Sequence, residues 1–126
     1  LGGLLGYERE KQGKSAGVRT HMMVAIGAAL FVLIPQQAGA SSADLNRILQ
    51  GLIAGVGFLG TGAIIMGNRE VETRGLTTAA SIWVTAAIGV AAGMGRETTA
   101  VLSTLIALLI LSVVPWIYRT KNQNKE

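Results

Sequence analysis

The chain has 126 residues, of which 50% are hydrophobic and 14% are charged, and its formal net charge is +4. Soluble domains carry about 25% charged residues, so this composition excludes an ordinary water-soluble protein. There is no cysteine, which excludes disulfides and thiolate metal sites.

Four long runs of the sequence contain no charged residue: Thr20–Ala43, Ile48–Asn68, Gly75–Gly95 and Thr98–Tyr118. Each is about 20 residues long, the length at which a helix crosses the hydrocarbon core of a bilayer. The apolar piece Leu1–Tyr7 resembles the cut end of another such helix. The pattern predicts an all-α fold, a polytopic membrane bundle of about five transmembrane helices with the first truncated.

The first half of the chain is predicted to cross the membrane in alternating directions. After the N-terminal piece, a helix is expected over Val18–Pro35. An outer loop rich in small and polar residues follows at Gln36–Asn46. The third helix then descends to Met66 and ends in the charged turn GNREVETRG.

The second half continues this alternation. A fourth helix is expected over Leu76–Ala92, followed by the turn GMGRE and a fifth helix that ends near Pro115–Tyr118. We therefore expect one transmembrane domain over residues 1–119 and a cytoplasmic tail over residues 120–126.

The third helix is unusually rich in glycine, in the stretch GVGFLGTGAII and around it. Glycine is unfavourable inside helices by about 1 kcal/mol, but small residues let membrane helices approach closely. Two sides of the helix carry glycine, which predicts that it is sandwiched between neighbours in its own chain or in another copy. The residues predicted to pack helices together are Gly51, Gly55, Gly57, Gly60 and Gly62, with Ser81, Thr85 and Gly89 on the fourth helix.

Basic residues predict the orientation of the chain. Nine of them fall on one side of the predicted membrane, and only Arg47 and Arg96 fall on the other. The excess of positive charge is expected in the cytoplasm, which places the C-terminus there. The positive charge indicates contact with anionic lipid head groups of the bilayer and no nucleic acid partner.

Motifs for catalysis and cofactor binding are weak. Gly13-Lys14-Ser15 lacks the earlier glycine of a phosphate-binding loop, because Glu8 stands in its place. His21 is the only histidine, and the apolar runs contain no carboxylate that could hold a dehydrated metal ion. We expect no enzyme activity, no cofactor and no metal site.

Several polar residues have two readings. His21 is either an interfacial anchor or part of a site for an anion or a partner. The hydroxyls of the helices either bond to carbonyls within the bundle or line an ion path. Asp44 is a candidate N-cap of the third helix, and Thr77 or Thr78 of the fourth. The candidate contacts for a ligand or partner are Glu8, Arg9, Arg19, Thr20, His21, Asp44, Arg47, Thr77 and Thr78.

Four motifs in order, GYERE, AGVRTHMMVAIGAALF, GVGFLGTGAII and RGLTTAASIWVTAAIGVAAG, resemble the hydrophobic domain of the MgtC/SapB family. The resemblance spans Gly6 to Gly93, with departures at Leu45 and Thr61, where proline and alanine are expected. It implies a bacterial inner-membrane protein with about five transmembrane helices. It also implies association with virulence, magnesium homeostasis and phosphate balance, and longer members add a cytosolic ACT-like domain.

Two hypotheses about the function remain open. The first is a regulator of magnesium or phosphate homeostasis that binds other membrane proteins, with a homo-oligomer as one form of such binding. The second is a small carrier or channel for magnesium or phosphate.

Overall fold

The computed structural model describes residues 1–65 and 72–123, with side chains described over 1–65 and 75–115. These residues form five helices: α1 (Gly2–Lys11), α2 (Val18–Gln37), α3 (Ser42–Ile65), α4 (Glu72–Gly93) and α5 (Glu97–Gln123). Within the described part of the chain, α2 to α5 are each long and apolar enough to cross a membrane. The predicted all-α polytopic bundle is confirmed.

The central element of the bundle is α4, which contacts each of the other four helices. Of its apolar span Gly75–Gly93, 44% is buried, compared with 11% of the corresponding span of α3 or of α5. Most of the large side chains described on α5, over residues 97–115, are exposed, which suits a helix that faces lipid. The fold is therefore a set of helices arranged around α4, and much of its remaining apolar surface faces outward.

Two glycines one turn apart bring α4 against α2. A Cβ atom placed on Gly89 would lie 3.0 Å from the Cα of Ala25, and one on Gly93 would lie 2.9 Å from the Cα of Ala29. Real Cβ atoms do not approach backbone this closely, so the contact needs glycine at both positions. The two backbones are in direct contact here, which is how membrane helices gain packing energy without a hydrophobic driving force.

One face of α1 packs against α2 in the same way. Gly2, Leu5, Gly6 and Arg9 share the helical period and are all buried. A Cβ atom on Gly6 would lie 2.6 Å from the Cα of Val18. The glycine pair Gly2 and Gly6 therefore has the same spacing and purpose as the pair in α4.

The glycines of α3 are placed differently from the prediction. Gly60 packs on α4, where an added Cβ atom would lie 3.4 Å from that of Ala79. An added Cβ atom would meet nothing within 4 Å at Gly51, Gly55, Gly57 or Gly62. Within the described part of the chain, α3 thus packs mainly on α4, and the chain itself does not sandwich it at these four glycines; contact with another copy stays a prediction. Gly67 lies outside the described residues.

The polar face of α4 was also expected to match the glycines of α3. Ser81 and Thr85 are buried, but Ser81 bonds to α2 and Gly89 packs on α2. The face that meets α3 carries Ala79, Ile82 and Ala86 instead. Side-chain spacing predicted which residues share a face, but it assigned that face to the wrong neighbour.

The ends of α3 and α4 correct three expectations about capping. Ser41 precedes α3, and its hydroxyl accepts from the Asp44 N–H at 3.2 Å, while the Asp44 carboxylate accepts from the Ser41 N–H at 3.2 Å. This reciprocal arrangement is a capping box, so Asp44 is its third helical residue and not the N-cap. The start of α4 at Glu72 lies before Thr77 and Thr78, so neither caps that helix.

The fifth helix is longer than predicted, because it continues through Pro115 to Gln123. Proline cannot donate to the carbonyl four residues before it, so a helix that passes through it needs another partner for that carbonyl. Met66 and most of the charged turn after α3 lie outside the described residues.

Candidate functional site

A cluster of polar side chains, most of them buried, lies where α1, α2, α4 and α5 meet. It consists of Arg9, Gln12, His21, Thr78 and Ser81, and we call it the polar cluster. Arg9 is 1% exposed and His21 is 0% exposed. Buried charged or polar groups are costly in a membrane protein and often mark function, so this cluster is the candidate site.

Arg9 is the charged group of the cluster. Its Nη2 donates to the Thr78 hydroxyl at 3.1 Å, and its Nη1 donates to the Gln12 side-chain oxygen at 3.3 Å. Its buried Nε has no hydrogen-bond partner. Burial lowers the pKa of Arg9, and the Glu8 carboxylate opposes that effect. Arginine starts from so high a pKa that the group stays protonated.

His21 joins α2 to α4. Its Nδ1 lies 2.9 Å from the Gly17 carbonyl oxygen, and its Nε2 lies 3.2 Å from the Ser81 hydroxyl. Because a carbonyl oxygen only accepts, this arrangement places a proton on Nδ1. The Ser81 hydroxyl donates its single proton to the Thr78 carbonyl oxygen at 2.7 Å, so it does not also donate to Nε2. The interfacial anchor reading of His21 is wrong, since the ring is fully enclosed by protein.

Gln12 ties α1 to α5. Its side-chain nitrogen donates to the Leu111 carbonyl oxygen at 2.8 Å and also to the Glu8 carboxylate at 2.8 Å. Leu111 stands four residues before Pro115, so its carbonyl lacks the N–H that a helix would normally supply. Gln12 provides the missing donor, and the proline creates a specific tertiary bond at this end of α5.

Two other hydroxyls in the helices bond to carbonyls within the bundle, the first of the two interpretations given above. Thr61 donates to the Gly57 carbonyl at 3.0 Å and Thr85 to the Ser81 carbonyl at 2.8 Å, both within one helix. These bonds satisfy the hydroxyl locally and leave it without a role between helices. Thr78 is different because its hydroxyl accepts from Arg9 across the bundle.

The structure brings together only some of the predicted contact residues. Arg9, His21 and Thr78 belong to the polar cluster, and Glu8 reaches it through Gln12. Other predicted contacts lie apart from it: Arg19 and Thr20 are exposed at the start of α2, Thr77 is exposed on α4, and Asp44 and Arg47 are exposed near the opposite end of the bundle.

Sequence reasoning missed two members of the cluster and misplaced a third. Arg9 was counted as a loop residue because it is charged, although it continues the buried stripe of Leu5 at helical spacing. Ser81 was assigned to helix packing and to the hydroxyls that bond within the bundle, but not to a ligand or partner site. Gln12 was not considered. Its only signal in the sequence was the distant Pro115, which leaves the Leu111 carbonyl without a helical N–H donor.

The cluster can hold a positive charge inside the bundle and keep several helix ends in register. Among the described residues, no three His, Cys, Asp or Glu side chains are grouped so that they could hold a metal ion.

Comparisons with known proteins all point to one family. The sequence matches the MgtC family over residues 1–120. It is 38% identical over 97% of its length to the Escherichia coli K12 protein named "Putative magnesium transporter YhiD", covering 60% of that protein. It is 42% identical over 89% of its length to protein SrpB of Synechococcus elongatus, covering 68% of it.

Protein MgtC of Salmonella typhimurium is 42% identical over 86% of this chain, which spans 45% of that protein. The chain thus spans about half the length of several relatives that it matches. No solved structure matches it significantly. The family match covers nearly all of the sequence, and the helices agree with the fold that its motifs predicted, so the chain belongs to the MgtC family.

Proposed function

We propose that this protein is a membrane regulator of magnesium or phosphate homeostasis that acts by binding other membrane proteins. The observation that carries the proposal is the outward face of α3, formed by Ala54, Gly57, Phe58, Thr61 and Ile65. Phe58 is 81% exposed and Ile65 is 75% exposed. Small residues beside large apolar ones suit contact with another transmembrane helix.

The names of relatives support a link to magnesium. One relative carries the name "Putative magnesium transporter YhiD", and the MgtC proteins share the same hydrophobic region. A role in magnesium homeostasis at the level of the family is consistent with all of these. Regulation and transport are different ways of filling that role.

A carrier of magnesium or phosphate is the second candidate, favoured by the name of YhiD. A magnesium carrier usually needs carboxylate oxygens in the membrane. In the described apolar spans, carboxylates occur only in the first turns of α3 and α5. The buried charge of Arg9 would repel a dication. Phosphate is the better substrate for a carrier that uses this cluster.

Flux through the purified protein tests the two candidates. The protein is reconstituted into liposomes that contain a magnesium indicator or receive radiolabelled phosphate. We expect uptake no faster than in empty liposomes, because binding proteins do not need a path for ions. Saturable uptake that is lost in the Arg9→Gln variant would reject the regulator and establish the carrier.

The proposal includes an orientation in the bacterial inner membrane, with the C-terminus in the cytoplasm. It rests on the nine basic residues that the sequence places on one side of the predicted membrane. Since the chain has no native cysteine, single cysteines report topology directly. We expect Ser42→Cys to react with an impermeant maleimide in intact cells and Ser15→Cys to react only after lysis. The reverse pattern would invert the topology.

A further inference from the structure

A deep groove separates α2 from α3, because each packs on α4 and they touch each other little. Its volume is about 680 Å³. Its walls are apolar along most of their length, and Gly27, Gly51 and Gly55 contribute no side chain to fill it. The groove extends along α2 from Thr20 to Phe31.

The length of the groove suits the acyl chain of a lipid. The twelve residues of α2 from Thr20 to Phe31 span about 17 Å, which is close to half of the roughly 30 Å hydrocarbon thickness and therefore to one leaflet. An extended acyl chain has this length and matches the apolar, glycine-containing walls of the groove.

Charge at one mouth of the groove suggests the kind of lipid. Thr20 lines this end and is the polar residue among the lining side chains. Arg19 is its neighbour, is exposed, and has no hydrogen bond or ion pair within the described part of the chain. The nearby Glu10 carboxylate accepts from the Val18 N–H at 2.9 Å and is already engaged. A phosphate at the membrane surface would complement Arg19.

We propose that the groove between α2 and α3 is a binding site for one anionic phospholipid. An acyl chain lies along Gly27, Gly51 and Gly55, and the phosphodiester is held at the surface by Arg19 and the Thr20 hydroxyl. This site is separate from the outward face of α3, so the inference stands whether or not that face binds a partner.

Native mass spectrometry of the delipidated protein tests the site. The protein is titrated with phosphatidylglycerol and, separately, with phosphatidylcholine of the same acyl chains. We expect one phosphatidylglycerol to bind about tenfold more tightly than phosphatidylcholine, since only the anionic head group gains from Arg19. Arg19→Gln should remove the preference for phosphatidylglycerol, but the variant should still bind the acyl chain of the lipid.

Groove-filling variants provide the matched comparison. Gly55→Phe fills the groove, and Gly57→Phe adds the same side chain to α3 outside it; neither new Cβ atom meets anything within 4 Å. We expect Gly55→Phe alone to weaken lipid binding at least about tenfold. Gly51→Phe, also in the groove, repeats the test if Gly55→Phe melts at a lower temperature than Gly57→Phe.

Three results would overturn the proposal. Equal lipid binding by the Gly55→Phe and Gly57→Phe variants would place the lipid elsewhere. Equal affinity of the unmodified protein for both lipids would remove the anionic head group from the site. A dimer that excludes lipid and is lost in Gly55→Phe would make a second copy of the chain the occupant of the groove.

Discussion

Replacement of Gly89 by alanine should destabilise the bundle by about 3 kcal/mol, the upper end for overpacking a tight contact. The new methyl group would overlap the backbone of Ala25, which cannot rotate away as a flexible side chain could. To accommodate it, α2 must move off α4 and lose the adjoining contact of Gly93 with Ala29. The measurement is the fraction of folded protein in detergent as a denaturing detergent is added.

Gly55→Ala is the control for this prediction. It makes the same change in a membrane-spanning helix, and the added methyl group meets nothing within 4 Å. Alanine gains up to about 1 kcal/mol over glycine inside a helix, so Gly55→Ala should unfold no earlier than the unmodified protein. If Gly89→Ala were as stable as this control, α2 and α4 could not be in backbone contact.

Thr78→Val should cost about 2 kcal/mol, as expected for a buried hydrogen bond to a charged group. Valine has nearly the shape of threonine, so packing changes little. The Arg9 guanidinium would lose the Thr78 acceptor while it remains charged and 1% exposed. Its Nε already lacks a partner, and a second unpaired donor would add to that cost. The same unfolding assay measures the loss.

Thr85→Val provides the comparison on the same helix. Thr85 is as fully buried as Thr78, but its hydroxyl donates to a carbonyl of its own helix. Loss of that local bond should change stability by less than about 0.5 kcal/mol. Equal effects of the two valines would show that the bond to Arg9 contributes nothing beyond an ordinary buried hydroxyl.

The membrane spans could be predicted from the sequence because the information is local. A charge-free run of about 20 residues specifies a spanning helix without reference to its neighbours. Helix ends were less predictable. The start of α3 depends on a reciprocal bond between Ser41 and Asp44, and the length of α5 depends on a donor from Gln12, about a hundred residues away.

The partners of each helix face could not be predicted, for a physical reason. Glycine spacing identifies a surface that can be approached closely, but it does not identify what approaches it. Gly51 and Gly55 have the same spacing as Gly89 and Gly93, yet only the second pair contacts another helix of the chain. Arg9 was misplaced similarly, because its acceptor Thr78 is 69 residues away.

The position of α4 at the centre of the bundle has a consequence for how the protein is made. Synthesis runs from the N-terminus, so α1 and α2 reach the bilayer before α4 leaves the ribosome. Until then Arg9 and His21 lack Thr78 and Ser81, and water and lipid head groups at the membrane surface must solvate them. Both lie close enough to a helix end to reach that surface. The arrival of α4 draws both groups inside, so the first two helices acquire their final depth only when the fourth has been inserted.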